Sequence, residues 1–241
     1  MKNLRLAALA AVFFCGHALA YRPFDGTDAG VADPGTWQLE LGASGLRQGS
    51  MHSYALPQFT LTYGLTARTE VAVEARMNRA RDGTGAPYHD KVQDAAIVAK
   101  HLLREGSLQE KDGPSLAFEC ALLLPHAGGE SAGAGCAGLV SQQWEAATGH
   151  VNVGVERTPE RLTNRFLSLM LEGPGGWKVR PVGELRWEDD NTGGWERSLL
   201  AGVVIPAGKH LAFDLALRAG RGPDGMLHEA RVGLTWNFGA Q

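Results

Sequence analysis

The sequence predicts an all-β fold, a transmembrane antiparallel up-and-down β-barrel of about 12 strands. Three observations predict it: apolar and polar residues alternate strictly in many segments, these segments are long, and aromatic residues lie at their ends. The last segment shows the pattern clearly, because Val232, Leu234, Trp236 and Phe238 alternate with polar or small residues. A lone edge strand with so apolar a face is prone to aggregation, so we expect it to pair with the first strand.

The same alternation recurs from residue 35 onward. Trp37, Leu39 and Leu41 share one face of the first segment, and Glu40 lies on the other. The segments run for about 10–13 residues, which is longer than the roughly 5–6 of a soluble β-sandwich strand and close to the roughly 9–11 that cross a bilayer at a tilt. We count about twelve segments, an even number as bacterial outer-membrane barrels require. Those between the first and the last are 53–63, 68–78, 92–103, 115–124, 136–147, 150–156, 163–172, 177–188, 195–205 and 210–220.

The connections between these segments fall into two classes. The short ones are GLTA, TG, GPGG and PAGK, and the longer ones are RARDGTGAPYHDK, PHAGGESAGAG, RTPERL, EDDNTGG and GRGPDGM. Short turns at one end and long loops at the other are typical of outer-membrane barrels whose termini lie in the periplasm. We therefore expect a single barrel domain over residues 21–241, in which residues 21–35 form a periplasmic N-terminal segment.

The N-terminus carries the features of a secretory signal peptide. Lys2 and Arg5 precede an apolar run, and a small-x-small site precedes Tyr21, so we expect residues 1–20 to be cleaved on export. Cys15 follows two bulky phenylalanines, which argues against lipidation. After this segment no apolar run approaches the roughly 18–20 residues of a membrane helix. The formal net charge of -3 argues against a nucleic-acid partner.

The C-terminal strand resembles the signal that the assembly machinery of Gram-negative outer membranes reads when it inserts barrels. Gly233, Trp236 and Phe238 carry this resemblance. The chain departs from the usual signal because three further residues follow Phe238. The resemblance implies that the barrel-assembly machinery and outer-membrane lipid are partners and that the protein is located in the outer membrane.

The mature N-terminus, RPFDGTDAGVADPGTWQLELG, resembles the opening of the outer-membrane barrels grouped as the meta-pathway phenol-degradation family. TYGLTARTEVAV resembles that family's second hairpin, AAIVAKHLL with Lys100 resembles its fourth strand, and Glu184 falls where its ninth strand often carries Glu. A departure lies at LLLPHAGG, where the family usually has Pro-Thr-Gly. The resemblance spans most of the mature chain and implies a transporter-like, porin-like barrel that takes up small molecules, aromatic ones among them.

Charged residues alternate with apolar ones on several segments, and we expect them to face the lumen. Buried charges must be paired or hydrated, so their mixture of signs predicts either a salt-bridged network that fills the barrel or a charge-lined, gated conduit. A twelve-stranded barrel lies between filled eight-stranded and open sixteen-stranded ones, so both alternatives stay open. The candidates for lining and selectivity are Glu70, Glu74, Arg76, Lys100, Arg180, Glu184, Arg186, Asp214 and Arg218.

Glu184 and its neighbours form the charge cluster of most interest. Arg180 and Arg186 flank Glu184 on one face of the ninth segment, because alternate residues of a strand share a face. Two arginines and one glutamate leave excess positive charge. We therefore expect an acidic partner across the lumen, the candidates being Glu70, Glu74 and Asp214.

The sequence gives little support to catalysis or metal binding. An enzyme such as an outer-membrane phospholipase needs a nucleophile held against a histidine, and the chain has no Gly-x-Ser-x-Gly motif. The strand-borne histidines are His101, His150 and His210. Four others lie in or beside longer loops without the spacing of metal ligands, so we expect neither a metal nor another cofactor. These loop histidines are His52, His89, His126 and His228.

Cys120 and Cys136 lie symmetrically about Gly128. A hairpin centred there places the two cysteines opposite each other, and an exported compartment allows them to oxidise to a disulfide. A register slip of one residue, or a bulge, separates the thiols and leaves both reduced.

These patterns favour an outer-membrane channel or uptake protein for small molecules, and not an enzyme. The alternative is a closed structural or interaction barrel whose long loops bind a partner. A lipid-modifying enzyme of the outer membrane is the third and least favoured class.

Overall fold

The computed structural model describes residues 22–81, 91–125, 131–189 and 194–239. Antiparallel strands form one closed barrel, in which each strand pairs with its sequence neighbours. The predicted all-β, up-and-down barrel of about 12 strands is therefore confirmed. The strands are β1 (Thr36–Gln48), β2 (Met51–Thr66), β3 (Thr69–Arg81), β4 (Lys91–Arg104), β5 (Ser115–Leu123), β6 (Gly133–Gln143), β7 (Thr148–Arg157), β8 (Thr163–Glu172), β9 (Arg180–Asp189), β10 (Trp195–Pro206), β11 (Leu211–Gly222) and β12 (Gly225–Gly239). The predicted signal peptide, His89 and His126 lie outside the described residues.

Closure depends on the pairing of β1 with β12, which continues over the full length of β1. Thr36 pairs with Gly239 at one end and Gln48 pairs with Leu227 at the other. The apolar C-terminal strand thus has hydrogen-bonded neighbours on both sides, β1 and β11. The barrel has no open strand edge at this seam.

The two ends of the barrel differ in their connections. We call the end where β1 begins and β12 ends the terminal end, and the opposite one the distal end. Residues 49–50 and 223–224 form short turns at the distal end, whereas the long connection 105–114, with a 3-10 helix at Ser107–Gln109, lies at the terminal end. The prediction that long connections collect at one end is therefore only partly met. The stretch GRGPDGM is mostly strand, because Arg221 pairs with Met226 across its turn.

Strand alternation places apolar side chains outside the barrel and polar ones inside it. On β7, Val153 is 58% exposed, whereas the adjacent Asn152 is 2% exposed. On β3, Val73 is exposed and Glu70 is buried. An apolar surface that surrounds the barrel is far larger than a water-soluble monomer exposes and is typical of proteins that contact membranes.

Two strands leave out a tryptophan that the sequence analysis placed in them. β9 begins at Arg180, so Trp177 lies in the preceding connection and not on the outer face of the strand. β6 ends at Gln143, and the Trp144 N–H donates to the carbonyl of Ala147 in a turn. Within the described ranges, no helix is long and apolar enough to span a membrane.

Cys120 on β5 pairs directly with Cys136 on β6, and their sulfur atoms form a disulfide bond. Both cysteines lie on the outer face of the barrel, because Ala117 and Leu139, three residues away on the same strands, are buried inside it. The disulfide therefore joins two strands on the apolar outer surface.

We expect the combined substitution of Cys120→Ser and Cys136→Ser to lower the free energy of unfolding by about 3 kcal/mol, the chain-entropy value for a loop of roughly 15 residues. Urea titration of the protein folded into liposomes measures this loss. A reductant should lower the midpoint of the wild type and leave that of the double variant unchanged. Equal midpoints for the oxidised wild type and the double variant would show that the bond does not stabilise the barrel.

Candidate functional site: the lumen and the segment inside it

The predicted lumen candidates all lie on the inward faces of their strands. Burial is nearly complete for several of them, including Lys100 and Glu184, which are each 1% exposed. The inward position of the others follows from strand alternation, because the residues next to them in sequence point outward. The inward-facing set is Glu70, Glu74, Arg76, Lys100, Arg180, Glu184, Arg186, Asp214 and Arg218.

Residues 22–33, which we call the lumen segment, lie inside the barrel. The sequence predicts a periplasmic segment over residues 21–35, whereas in the structure this part of the chain folds into the lumen. Its backbone N–H groups donate to side chains of β9, β7, β6 and β3. These wall side chains satisfy a backbone that forms neither helix nor strand.

Asp25 of the lumen segment lies among three arginines. Its Oδ1 is 2.7 Å from Arg231 Nη1, its Oδ2 contacts Arg218 Nη2, and the same oxygen is 3.9 Å from Arg186 Nε. Burial raises the pKa of the Asp25 carboxyl, but the three guanidinium groups outweigh burial and hold this pKa well below its usual range. These ion pairs stabilise the folded protein at every pH above the pKa of Asp25 in the unfolded chain. Because the pKa of Asp25 is lower in the folded protein, this stabilisation is lost only when the pH falls through that lower pKa. The Asp25 carboxylate therefore remains charged at pH 5.

Glu184 binds the backbone of the lumen segment. Its carboxylate accepts hydrogen bonds from the N–H groups of Asp25 at 2.9 Å and Gly26 at 3.1 Å. The Ser168 hydroxyl donates to the same carboxylate at 2.8 Å, and Arg218 Nη2 lies 3.7 Å from it. Three donors and a nearby guanidinium compensate for the burial of this charge.

The acidic partners of the two arginines beside Glu184 differ from the sequence prediction. Arg180 Nε is 3.1 Å from Glu172 on the adjacent β8, and Arg186 Nε is 2.9 Å from Glu188 on its own strand. Asp25 is the partner that reaches Arg186 from the lumen. Short-range neighbours and the lumen segment thus replace the partners expected across the barrel, which were Glu70, Glu74 and Asp214.

Lys100 holds the lumen segment on the other side of the barrel. Its Nζ lies 2.9 Å from Glu70 and 3.8 Å from Asp28 of the segment, and it donates to the Thr27 hydroxyl at 3.2 Å. Glu70 in turn accepts the Ala32 N–H at 2.6 Å. Burial raises the pKa of the Asp28 carboxyl, although Lys100 acts in the opposite direction.

Arg22 crosses the seam between β1 and β12. Its guanidinium pairs with Asp214 at 3.4 Å and donates to the carbonyl of Val232 at 3.2 Å. Gly42 and Gly233 are cross-strand partners at this point, and a β-carbon on either would overlap the guanidinium. Gly233, which the sequence assigns to the barrel-insertion signal, therefore also makes room for Arg22.

A cavity of about 190 Å³ remains between the lumen segment and strands β1–β5. The carboxylates of Glu40, Glu74 and Glu119 line it together with the Lys100–Glu70 pair. The cavity has room for a few water molecules, whereas pockets for drug-sized ligands measure roughly 300–1,000 Å³. A solute of that size passes the barrel only if the lumen segment moves.

Ser141, His150 and Glu172 form a contiguous group that the sequence did not predict. Ser141 Oγ is 2.8 Å from His150 Nδ1, and His150 Nε2 is 3.3 Å from Glu172 Oε1 but lacks hydrogen-bond geometry. Ser141 is 0% exposed, and its hydroxyl accepts the Ala29 N–H at 2.9 Å. A nucleophile must reach its substrate, so this serine serves to hold the lumen segment. Among the described residues, no group of three or more His, Cys, Asp or Glu is placed to bind a metal.

The lumen segment supplies the functional residues that the sequence analysis missed, namely Arg22, Asp25 and Asp28. One signal was available, because these three charges are interspersed with Gly, Ala and Pro directly before the first strand. The sequence also left the counter-charge of the arginines beside Glu184 open among three candidates. Together these features point to a charged segment that enters the barrel.

No family model matches the chain, and no curated protein matches it. Among solved structures, an outer membrane channel from Pseudomonas putida F1 is 9% identical with a TM-score of 0.66, over 89% of this chain and 100% of that one. The NanC porin is 6% identical with a TM-score of 0.61, over 82% of this chain and 98% of that one.

The CymD monoaromatic hydrocarbon channel is also similar, at 7% identity and a TM-score of 0.52, over 87% of this chain and 90% of that one. At these identities the likeness shows the fold alone. Membership of the meta-pathway family stays a prediction. The chain has the closed β-barrel fold that these channels and porins also have.

Proposed function

We propose that this protein is an outer-membrane channel or uptake protein for small molecules, and that the lumen segment gates it. One observation carries the proposal: the barrel encloses a lumen wide enough for a whole stretch of chain, and charged side chains line that lumen. If the lumen segment leaves, a water-filled, charge-lined path remains. Such a path is what a selective conduit requires.

The contacts of the lumen segment are suited to release as well as to binding. They are mainly ion pairs and hydrogen bonds, such as those of Asp25, Lys100 and Glu184, and water can replace each of them. Little apolar surface holds the segment. Phe24 packs on Val182 and its neighbours, and Ala29 packs on Leu139.

We also propose a class of solute for this channel. Small aromatic molecules are supported by the likeness to a monoaromatic hydrocarbon channel and by the family resemblance of the N-terminal sequence. The charged lining of the lumen favours solutes that carry a polar or ionised group. Both requirements are met by a small aromatic ring with a carboxylate or hydroxyl substituent.

The second candidate is a closed structural or interaction barrel, and the filled lumen favours it. In that case the ion pairs of the lumen segment make a permanent core. The two candidates differ in one measurable property, since only the channel passes ions when the segment is loosened.

Single-channel recording in planar bilayers tests the proposal with the substitution Asp25→Asn. The variant removes one of the carboxylates that neutralise three largely buried arginines, Arg186, Arg218 and Arg231, and breaking a buried ion pair costs roughly 3–5 kcal/mol. Even part of this loss, about 1.4 kcal/mol, raises the open probability about tenfold. We therefore expect rare openings of the wild type and frequent ones of the variant.

Asp33→Asn is the matched control, because Asp33 is in the same segment and its side chain is exposed. The control removes the same charge and should behave like the wild type. If Asp25→Asn folds but gives no conductance steps at high protein load, the channel proposal fails and the closed barrel is favoured.

A further inference from the structure

Arginines form a belt on the outer face of the barrel at its distal end. Each lies within two residues of a distal strand end, and each side chain is exposed. Among the outward-facing strand residues that the structure describes at this end, the acidic residue is Asp189, so positive charge predominates. The arginine belt consists of Arg47, Arg79, Arg157, Arg165, Arg197 and Arg221.

The terminal end has a different outer surface. Its outward strand positions carry aromatic side chains, including Trp37, Tyr63 and Trp236, of which Trp37 and Tyr63 stack with ring centroids 4.5 Å apart. Arg104, at the end of β4, turns its guanidinium to the carbonyl of Asp112 in the following loop. The belt is therefore a property of one end, and general exposure of arginine does not account for it.

Arg197 on β10 and Arg221 on β11 are direct cross-strand partners on the outer face. Like charges in this position destabilise a sheet. Within the described part of the chain, neither guanidinium is paired with a carboxylate. An external anion between them removes the repulsion, and a phosphate accepts hydrogen bonds from two guanidinium groups at once.

Beside the belt, an apolar groove of about 420 Å³ runs along the outer face at β7 and β8. Val153, Val155 and Leu167 line it, Trp195 borders it, and Arg165 is the charged residue in its lining. An acyl chain fits the apolar floor while Arg165, whose cross-strand neighbour is Asp189, contacts the headgroup. The apolar groove and the adjacent cation together match an anionic lipid, because its acyl chains cover the groove. An acidic peptide pairs with the cation but leaves the apolar groove exposed.

We propose that the arginine belt and this groove bind a phosphorylated, multiply acylated glycolipid, the chemistry of lipid A in the outer leaflet. A phosphate lies between Arg197 and Arg221, another lies at Arg165, and acyl chains cover the groove. Basic clusters beside an apolar membrane surface bind anionic headgroups in this way. The inference rests on the proposed outer-membrane location, with the distal end outside the cell, but not on channel activity.

Native mass spectrometry of the full-length protein, purified in a neutral detergent, tests the proposal. The probes are bisphosphorylated lipid A, the same lipid after removal of its phosphates, and phosphatidylglycerol. We expect the wild type to retain bisphosphorylated lipid A and to bind the dephosphorylated form at least about tenfold more weakly, since charge-assisted hydrogen bonds are lost. The combined substitution Arg197→Gln and Arg221→Gln should weaken binding of lipid A to a similar degree.

The matched control is Arg68→Gln with Arg104→Gln, which removes two charges at the terminal end and should leave lipid retention unchanged. Heat-modified gel mobility shows that each variant is folded. The proposal is overturned if the belt variant and the wild type retain lipid A equally, or if the wild type binds phosphatidylglycerol as strongly as lipid A. Conductance of the belt variant is measured separately, so a silent channel that still retains lipid A refutes the proposed function and leaves this inference standing.

Discussion

Deletion of residues 22–33 should convert a rarely conducting barrel into one that conducts at nearly every insertion. The segment lies in the lumen and contacts side chains of β3, β6, β7 and β9, and a cavity of about 190 Å³ separates it from strands β1–β5. A twelve-stranded barrel without internal chain is wider than the filled eight-stranded type. We expect large, uniform conductance steps in planar bilayers and uptake of small sugars in liposome swelling.

The barrel itself should survive this deletion, because the backbone pairing of β1 with β12 does not include the lumen segment, whose contact with this seam is the side chain of Arg22. A synthetic peptide of residues 22–33, added on the side of the terminal end, should close the shortened barrel, and a scrambled peptide of the same composition should not. A shortened barrel that is folded and silent would contradict the role of the segment as the gate.

An arginine at Val73 should lower the free energy of folding into a bilayer by about 2–4 kcal/mol, the cost of this side chain on the lipid face near the midplane. Val73 lies midway along β3, its side chain is exposed, and its cross-strand partners are Leu61 and Ile97. Urea titration of folding into liposomes measures the loss.

Ala72→Arg is the control on the same strand. Ala72 faces inward and lines the cavity that contains Glu74 and Glu119, so the new cation meets carboxylates and water. We expect a loss below about 1 kcal/mol for this variant, as at positions that avoid the lipid core. Equal losses at Val73 and Ala72 would mean that the outer face of β3 does not contact lipid.

The alternation along each strand, together with the length of the segments and the aromatic residues at their ends, was sufficient to predict the barrel. Successive side chains of a strand point to opposite faces. The sequence around Val153 and Asn152 is therefore enough to place Val153 on the outer surface and Asn152 in the lumen. The same rule places Lys100, Glu184 and Arg218 in the lumen. Strand ends were less certain, as at Trp177, because alternation continues into turns where pairing has already stopped.

The course of residues 22–33 was decided by the tertiary structure. This stretch has no periodicity, and its contacts join residues far apart in sequence, such as Asp25 with Arg231 and Ala29 with Ser141. Strand closure brings these partners together.

The sequence by itself predicted a closed β-barrel with an apolar exterior and a charged interior, because alternation, segment length and aromatic ends are all local features. Only the tertiary structure decided which charges meet. Pairing across a lumen depends on the register of all the strands between two residues, and on whether another part of the chain enters the space. Arg186 shows this, since its partners are Glu188 beside it and Asp25 from the lumen segment.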